Sequence, residues 1–320
     1  MNIHNLKINF IGARYWLMAA SILFVGLSIF GLATRGLNLG IDFTGGYLIE
    51  VGYAAPVELS KVRGALEENG VPGATVQYFG TSRDVLIRVL PSDEAETGQD
   101  QATTLSDKIY SILQQHTTGA TLRRVEYVGP QVGDELKNSG GMAILVATFF
   151  IFLYVAMRFN RWFFSAGAIV ATAHDVVLTL GVFAWLGISF DLATLAAILA
   201  IIGYSLNDTI VVFDRIRENF FRTRSNDTAE IMNVAINDTL SRTLMTSGVT
   251  LLSVLALFFF GGEVVYGFSL ALILGILIGT YSSIFVASPV VLFLGLTRQD
   301  MLNAEKEKQT AKEAREIGMP

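Results

Sequence analysis

Long uncharged runs alternate with polar segments along the chain. A run of about 18 or more apolar residues is long enough to cross the hydrocarbon core of a membrane as a helix. The pattern therefore predicts six transmembrane helices, with Pro289 kinking or fraying the end of the last one. The predicted spans are Tyr15–Thr34, Asn138–Met157, Trp162–Ile188, Leu192–Phe213, Thr243–Gly262 and Gly267–Val291, the last being the preferred core of the longer run Val264–Thr297.

The segment between the first two spans has shorter periods, typical of a folded α+β domain. Its elements follow the order β-α-β-β-α-β, which predicts a ferredoxin-like split unit. The predicted strands are Tyr47–Tyr53, Thr75–Phe79, Val85–Leu90 and Thr121–Val128; the predicted helices are Val57–Asn69 and one that carries Leu105, Ile109, Ile112 and Leu113 after an acidic loop, Pro91–Gln101.

Basic residues in the short loops predict the orientation, since Lys and Arg favour the cytoplasmic side. They occur before span one, between spans two and three, and between spans four and five, and the opposite short loops contain none. Both termini are therefore predicted in the cytoplasm. The predicted organisation is 1–35 for the N-terminus and helix 1, 36–137 for a periplasmic domain, 138–297 for helices 2–6 with a cytoplasmic loop at 214–242, and 298–320 for a charged cytoplasmic tail.

Composition agrees with a membrane protein and excludes several kinds of site. The chain is 52% hydrophobic and 16% charged, whereas soluble domains are about 25% charged. It has no cysteine and three scattered histidines, so we expect no disulfide, metal site or cofactor. No continuous basic face suggests nucleic acid, and no nucleophile elbow or zinc-protease motif is present, so the chain is not predicted to be an enzyme.

Two charged residues, Asp175 and Asp208, fall inside predicted spans, where each costs about 2.5 to 3.5 kcal/mol on insertion scales, and Arg242 opens span five. Asp175 lies near the middle of span three, and Asp208 and Arg242 are expected to meet near the cytoplasmic side of spans four and five. Helical spacing predicts two polar faces that together form an ion path. One face contains Ile201, Tyr204, Ser205 and Asp208; the other contains Arg242, Thr246, Thr250 and Ser253.

Each charged group has two possible interpretations. Asp208 and Arg242 form a static ion pair, with the arginine reaching to the interface, or Asp208 accepts and releases protons. His174 and Asp175 are a hydrogen-bonded pair that holds helices together, or they belong to the same ion path. The residues alone do not decide between these interpretations.

Three long motifs then carry a resemblance. They are Gly40-Ile-Asp-Phe-Thr-Gly-Gly46, the run from Gly203 to Asn219 that contains Asn207-Asp208-Thr209, and the run Leu240-Ser-Arg-Thr-Leu-Met-Thr-Ser247. Together with six spans and a single large first loop, they resemble the SecF family of bacterial protein-export membrane proteins, part of the SecD/SecF family and of the resistance-nodulation-division superfamily. The resemblance covers the chain up to its tail.

The resemblance implies a subunit that pairs with a SecD-like protein in the bacterial inner membrane. Such complexes associate with the SecYEG channel and YajC, act after SecA, and use the proton motive force to pull preproteins outward. The family's transmembrane proton-transport residues fall on Asp208 and Arg242, and Asn207 and Asp175 complete the predicted set. The first motif, with Gly40, Asp42, Thr44, Gly45 and Gly46, implies a junction between span one and the outer domain that is either structural or a coupling hinge.

Two other functions stay open at this point. One is a self-contained proton-driven exporter of lipid or small molecules from the same superfamily, working as a homo-oligomer. Such exporters carry two large outer domains per polypeptide, whereas this chain is predicted to have one. The other is a membrane scaffold whose outer domain only binds partners.

Overall fold

The computed structural model describes residues 8–90, 99–117, 119–159, 161–223, 225, 227–303, 306 and 310. It contains six helices that are long and apolar enough to cross a membrane, which confirms the predicted number of spans. These helices are α1 (Arg14–Thr34, preceded by a 3-10 turn Ile11–Ala13), α5 (Pro130–Phe159), α6 (Trp162–Leu186), α7 (Leu192–Arg222), α8 (Thr228–Phe260) and α9 (Tyr266–Ser282), which α10 (Ser288–Phe293) continues.

The predicted cytoplasmic loop 214–242 contains the ends of two long helices. Helix α7 continues to Arg222 and α8 begins at Thr228, so most of this segment is helical. Glu218 pairs with Arg215 and Arg222 at helical spacing, and such pairs support a helix beyond its apolar part. Helix α5 likewise begins at Pro130, eight residues before the predicted span.

Sequence signals explain where the central helices begin and end. Gly187 ends α6 in the left-handed conformation, with φ +65°, which glycine adopts without steric cost. The Asp191 carboxylate then accepts a hydrogen bond from the Thr194 amide and caps α7. Asp227 caps α8 in the same way through the Ala229 amide.

The last span is irregular at the expected place. A π turn, Ser283–Ala287, interrupts the helix immediately before Ser288 and Pro289. Proline has no amide proton to donate to the preceding turn, so the regular hydrogen-bond pattern cannot continue through it. Interruptions of this kind are frequent at functional sites.

The segment between α1 and α5 forms an α+β domain with an antiparallel four-stranded sheet in the order β3-β4-β2-β5. Two helices cover one face of the sheet, and the buried core lies between the two layers. The elements are β2 (Gly46–Tyr53), α3 (Leu59–Glu68), β3 (Thr75–Phe79), β4 (Thr81–Val89), α4 (Gln99–His116) and β5 (Ala120–Val128). All six elements were predicted, although α4 begins at Gln99 inside the predicted loop; residues 91–98 of that loop lie outside the described residues.

A small junction connects this domain to the helices. Strand β1 (Asn38–Leu39) follows α1 and pairs in parallel with β6 (Ser189–Phe190), which lies between α6 and α7. A one-turn helix, α2 (Ile41–Thr44), leads from β1 into the sheet. The junction therefore joins the C-terminal end of α1 to the start of α7.

Helix α7 lies at the centre of the bundle. More than half of the residues in its most apolar stretch are buried within the chain, compared with about a sixth of the corresponding residues in α1 and α8. Helix α9 packs closely on α7 because Gly275 and Gly279 face Ile201 and Ser205; a Cβ at either glycine would lie within 3 Å of those side chains. This central position brings the polar residues of α7 next to those of α6, α8 and α9.

The start of the predicted charged tail packs on the bundle. The Arg298 guanidinium donates to the carbonyl oxygens of Phe220 and Ser225, and Met301 is buried. Residues 311–320 lie outside the described residues.

Candidate functional site

Asp208 is buried midway along α7, with 3% of its surface exposed. Ile201 and Ser205 lie on the same buried face, as the helical spacing predicted. Tyr204 is partly buried there, and its hydroxyl is buried without a hydrogen-bond partner among the described residues. A carboxylate thus lies in the interior of an apolar bundle.

Asp208 has a sparse hydrogen-bond environment. The Ser247 hydroxyl of α8 donates to its Oδ2 at 3.3 Å, a long distance for an O–H donor. Ser247 also shares a 2.8 Å hydrogen bond with the Thr280 hydroxyl of α9. These two hydroxyl groups link the carboxylate to both neighbouring helices.

Asp175 lies in a second buried polar cluster and is 1% exposed. Its Oδ2 accepts hydrogen bonds from the hydroxyls of Ser205 at 2.5 Å and Ser282 at 2.8 Å, and its Oδ1 lies 3.0 Å from the His174 Nδ1. The cluster joins α6, α7 and α9 through one carboxylate. The predicted pairing of His174 with Asp175 is therefore present, with two further partners.

His174 connects this cluster to α1. Its ring stacks on Tyr281 with the centroids 6.2 Å apart, and the Tyr281 hydroxyl donates to the Leu17 carbonyl and contacts the Ser21 hydroxyl. The Nε2 atom of His174 is buried without a partner among the described residues.

The predicted polar face of α8 does not point into the bundle. Arg242, Thr246 and Ser253 are exposed and Thr250 is partly exposed, so the four residues share one face of α8 and that face does not meet α7 within this chain. The hydroxyls of Thr246, Thr250 and Ser253 donate to carbonyl oxygens of α8 itself and do not reach α7. Ser247, on a different face, makes the contact with Asp208.

The static ion pair between Asp208 and Arg242 is also absent from the described part of the chain. Arg242 is close enough for its charge to act on Asp208 through space, but it forms no ion pair with it. Asn207, the third residue of the predicted set on these two helices, is exposed on α7. The structure thus brings Asp208 and Asp175 into the interior and leaves Arg242 and Asn207 on the surface of this chain.

The glycine motif lies at the junction between span one and the α+β domain, where it was predicted. Gly45 and Gly46 have φ of +67° and +116°, and a Cβ at Gly45 would lie 2.9 Å from the Pro130 backbone, so the turn requires glycine. The Asp42 Oδ2 accepts a hydrogen bond from the Leu192 amide at 2.9 Å. Asp42 therefore caps α7, the helix that carries Asp208.

Thr44 and Gly40 have simpler roles in this turn. The Thr44 hydroxyl donates to the carbonyl oxygens of Gly40 and Gly45. The Gly40 amide donates to the Phe190 carbonyl and extends the pairing of β1 with β6.

Sequence analysis missed the hydroxyl partners on α8 and α9. Ser247, Thr280 and Ser282 lie inside uncharged runs and carry no charge that would mark them. A search for hydroxyl side chains within the apolar spans would have found them as candidates, although not their contacts.

These features define a polytopic membrane protein with a large domain between its first two spans and two carboxylates enclosed by its helices. Residues 108–297 match the C-terminal family of the protein export membrane proteins SecD/SecF, and residues 30–57 match the SecD/SecF GG motif. The chain belongs to the SecD/SecF family, and its curated relatives are SecF proteins.

Two relatives illustrate the similarity. The protein translocase subunit SecF of Vibrio alginolyticus is 50% identical over 305 residues, covering 94% of this chain and 95% of the relative. The protein translocase subunit SecF of Pseudomonas aeruginosa is 47% identical over 304 residues, covering 94% and 96%.

Solved structures agree in fold. The crystal structure of SecDF, a translocon-associated membrane protein from Thermus thermophilus, has a TM-score of 0.82 and 40% identity over 92% of this chain. A structure of SecDF in a super-membrane-facing form has a TM-score of 0.65 and 39% identity over 98% of this chain. This chain spans 39% and 40% of the length of those two chains.

Proposed function

We propose that this chain is the SecF half of a SecD–SecF complex that uses the proton motive force to assist protein translocation through SecYEG across the bacterial inner membrane. The observation that carries the proposal is the buried carboxylate of Asp208, which has one long hydrogen bond and no ion pair among the described residues. A permanent charge in this position is costly, whereas a carboxylate that gains and loses a proton has a use there.

The proton-transport site we propose contains Asp208 as the exchanging group. Arg242 supplies a positive charge that acts on Asp208 from outside the bundle, and Asn207 is exposed on α7 next to Asp208 in the sequence. Asp175 is the second carboxylate of the site, and it shares the two helices α7 and α9 with Asp208. Each proton that crosses the membrane field releases about 2.3 kcal/mol per 100 mV.

The exposure of Arg242 supports a partner on this face of α8. Met245, Val249 and Leu252 are also exposed on this helix, so in this chain alone the guanidinium lies beside a lipid-facing surface. A charged side chain facing lipid is unfavourable, and a partner that covers it removes the cost. The SecDF neighbours, of which this chain spans about two fifths, support a SecD-like protein as that partner.

The position of the α+β domain follows from the proposal. We assign it to the periplasm and both termini to the cytoplasm, with the β-α-β-β-α-β order and antiparallel sheet of a ferredoxin-like unit. There it is available to a preprotein that leaves SecYEG. YajC and, indirectly, SecA are the other components we expect the complex to work with.

Replacing Asp208 with asparagine tests the proposal. Asp208→Asn keeps the shape and the hydrogen bond to Ser247 but cannot exchange a proton, so we expect export by inverted vesicles containing the complex to fall to the level measured without a proton gradient. Asp134→Asn makes the same change at an exposed residue of α5 and should leave export unchanged. Full sensitivity to the gradient in Asp208→Asn, with normal recovery of the SecD-like partner, would refute the proposed relay.

A further inference from the structure

We propose that Arg88 is a latch that couples the outer domain to helix α7. Arg88 lies on β4 of the sheet, and its guanidinium reaches out of the domain to the junction formed by β1 and β6. This inference rests on the proposed function, because it assigns a path between Asp208 and the outer domain.

The guanidinium binds both strands of the junction. Nη1 donates to the Leu39 carbonyl at 2.6 Å and to the Asn38 Oδ1 at 3.3 Å, and Nη2 donates to the Ser189 hydroxyl at 3.3 Å. These acceptors are 49 to 101 residues away in the sequence. One side chain thus holds the sheet, the end of span one and the α6–α7 connection together.

The electrostatic surroundings support a fixed position for this cation. Burial lowers the pKa of the Arg88 guanidinium, and the nearby Asp42 carboxylate opposes that shift. An arginine stays charged under these conditions and presents a planar set of donors that lysine cannot reproduce. The contact therefore depends on geometry as well as charge.

The junction continues directly into α7. Asp42, next to Arg88, accepts from the Leu192 amide at the first residue of the helix, and Gly40 is bonded to Phe190. From Leu192 to Asp208 the helix is unbroken, a distance of about 24 Å at 1.5 Å per residue. A displacement of α7 along its axis is thus transmitted to β6 and, through Arg88, to β4.

A distance measurement between the α+β domain and the helix bundle tests the latch. This chain has no cysteine, so with a partner prepared without cysteine only the introduced sites are labelled. Spin labels are placed on cysteines that replace Glu67 on α3 and Leu186 at the outer end of α6, in the full chain reconstituted with its SecD-like partner. We expect a narrow distance distribution in the parent and a broad one in Arg88→Ala and Arg88→Lys. Arg83→Ala, at an exposed position on the same strand, should keep the narrow distribution.

Export is measured on the same variants without labels. We expect Arg88→Ala to reduce the gradient-stimulated part of export about five-fold or more, the lower end of the range for coupling between sites, with normal recovery of the partner. An unchanged distance distribution in Arg88→Ala overturns the latch. A broadened distribution in Arg88→Ala with full gradient-stimulated export also overturns it, because the Arg88 contact would then hold the domain in place without a role in export.

Asp208→Asn separates this inference from the proposed function. It should lose stimulated export and keep the narrow distribution, since it leaves the junction intact. If Asp208→Asn keeps stimulated export, the proposed function fails, and the coupling role of Arg88 fails with it. If Asp208→Asn loses export while Arg88→Ala keeps it, only the latch fails.

Discussion

The two buried carboxylates differ in how completely their oxygens are bonded. Asp175 has three side-chain partners at 2.5 to 3.0 Å. His174 lies on the same helix, and Ser205 and Ser282 lie on two other helices. Asp208 has one hydroxyl at 3.3 Å. A fully bonded carboxylate is held in place, whereas a sparsely bonded one exchanges its proton with less rearrangement of its neighbours. The two acidic residues are thus similarly buried but differently bonded, so we expect Asp175 to hold helices together and Asp208 to be the group that exchanges a proton in the proposed site.

The largest effect on stability is expected from Asp175→Ala. The change leaves Ser205, Ser282 and His174 without their shared acceptor, and three membrane hydrogen bonds at roughly 0.6 kcal/mol each amount to about 2 kcal/mol. We expect a lower midpoint of thermal unfolding for the detergent-solubilised complex. Asp134→Ala removes an exposed carboxylate and should leave the midpoint unchanged; an equal midpoint in Asp175→Ala would mean that the cluster does not hold the helices.

A smaller effect, on export and not on stability, is expected from Arg242→Ala. Its charge acts on Asp208 through space without an ion pair, so removing the charge should reduce gradient-stimulated export in inverted vesicles. Arg242→Lys keeps the charge and should retain most of the stimulation. Equal losses in the two variants would indicate that the planar guanidinium itself is required, for example to contact a partner. The explanation by charge acting through space would then be incorrect.

The smallest effect is expected from Ser247→Ala. It removes the 3.3 Å hydrogen bond to Asp208 and the 2.8 Å hydrogen bond to Thr280, each worth about 0.6 kcal/mol. Thr280 keeps its hydrogen bond to the Ile276 carbonyl, so the unfolding midpoint of the complex should shift only slightly. Ser282→Ala removes a shorter bond to the better-bonded carboxylate and should lower the midpoint more. The reverse order would contradict the difference we describe between the two carboxylates.

The buried face of α7 could be predicted from its spacing, and the polar face of α8 could not. On α7, Ile201, Ser205 and Asp208 recur at helical period and all point inward. On α8, Thr246 and Ser247 are both polar and adjacent, so two faces compete, and polarity alone does not say which one meets α7. The strands of the outer domain were predicted because alternation of apolar and polar residues marks a sheet with one covered face.

Contacts between distant segments were beyond sequence reasoning. Asp42 and Leu192 are 150 residues apart, and their hydrogen bond uses a backbone amide that no residue type reveals. The glycine motif could be placed at a junction because positive φ favours glycine, but its role as a cap on α7 required the fold.

The close contact between α7 and α9 leaves no room for a larger side chain at either glycine. Ile201 and Ser205 fill the space over Gly275 and Gly279, and small residues at a membrane helix interface let the backbones approach. A larger residue at Gly279 would push α9 away from Ser205, which donates to Asp175. The two glycines therefore set the separation between the helices that supply Ser205 and Ser282, the hydroxyl partners of Asp175.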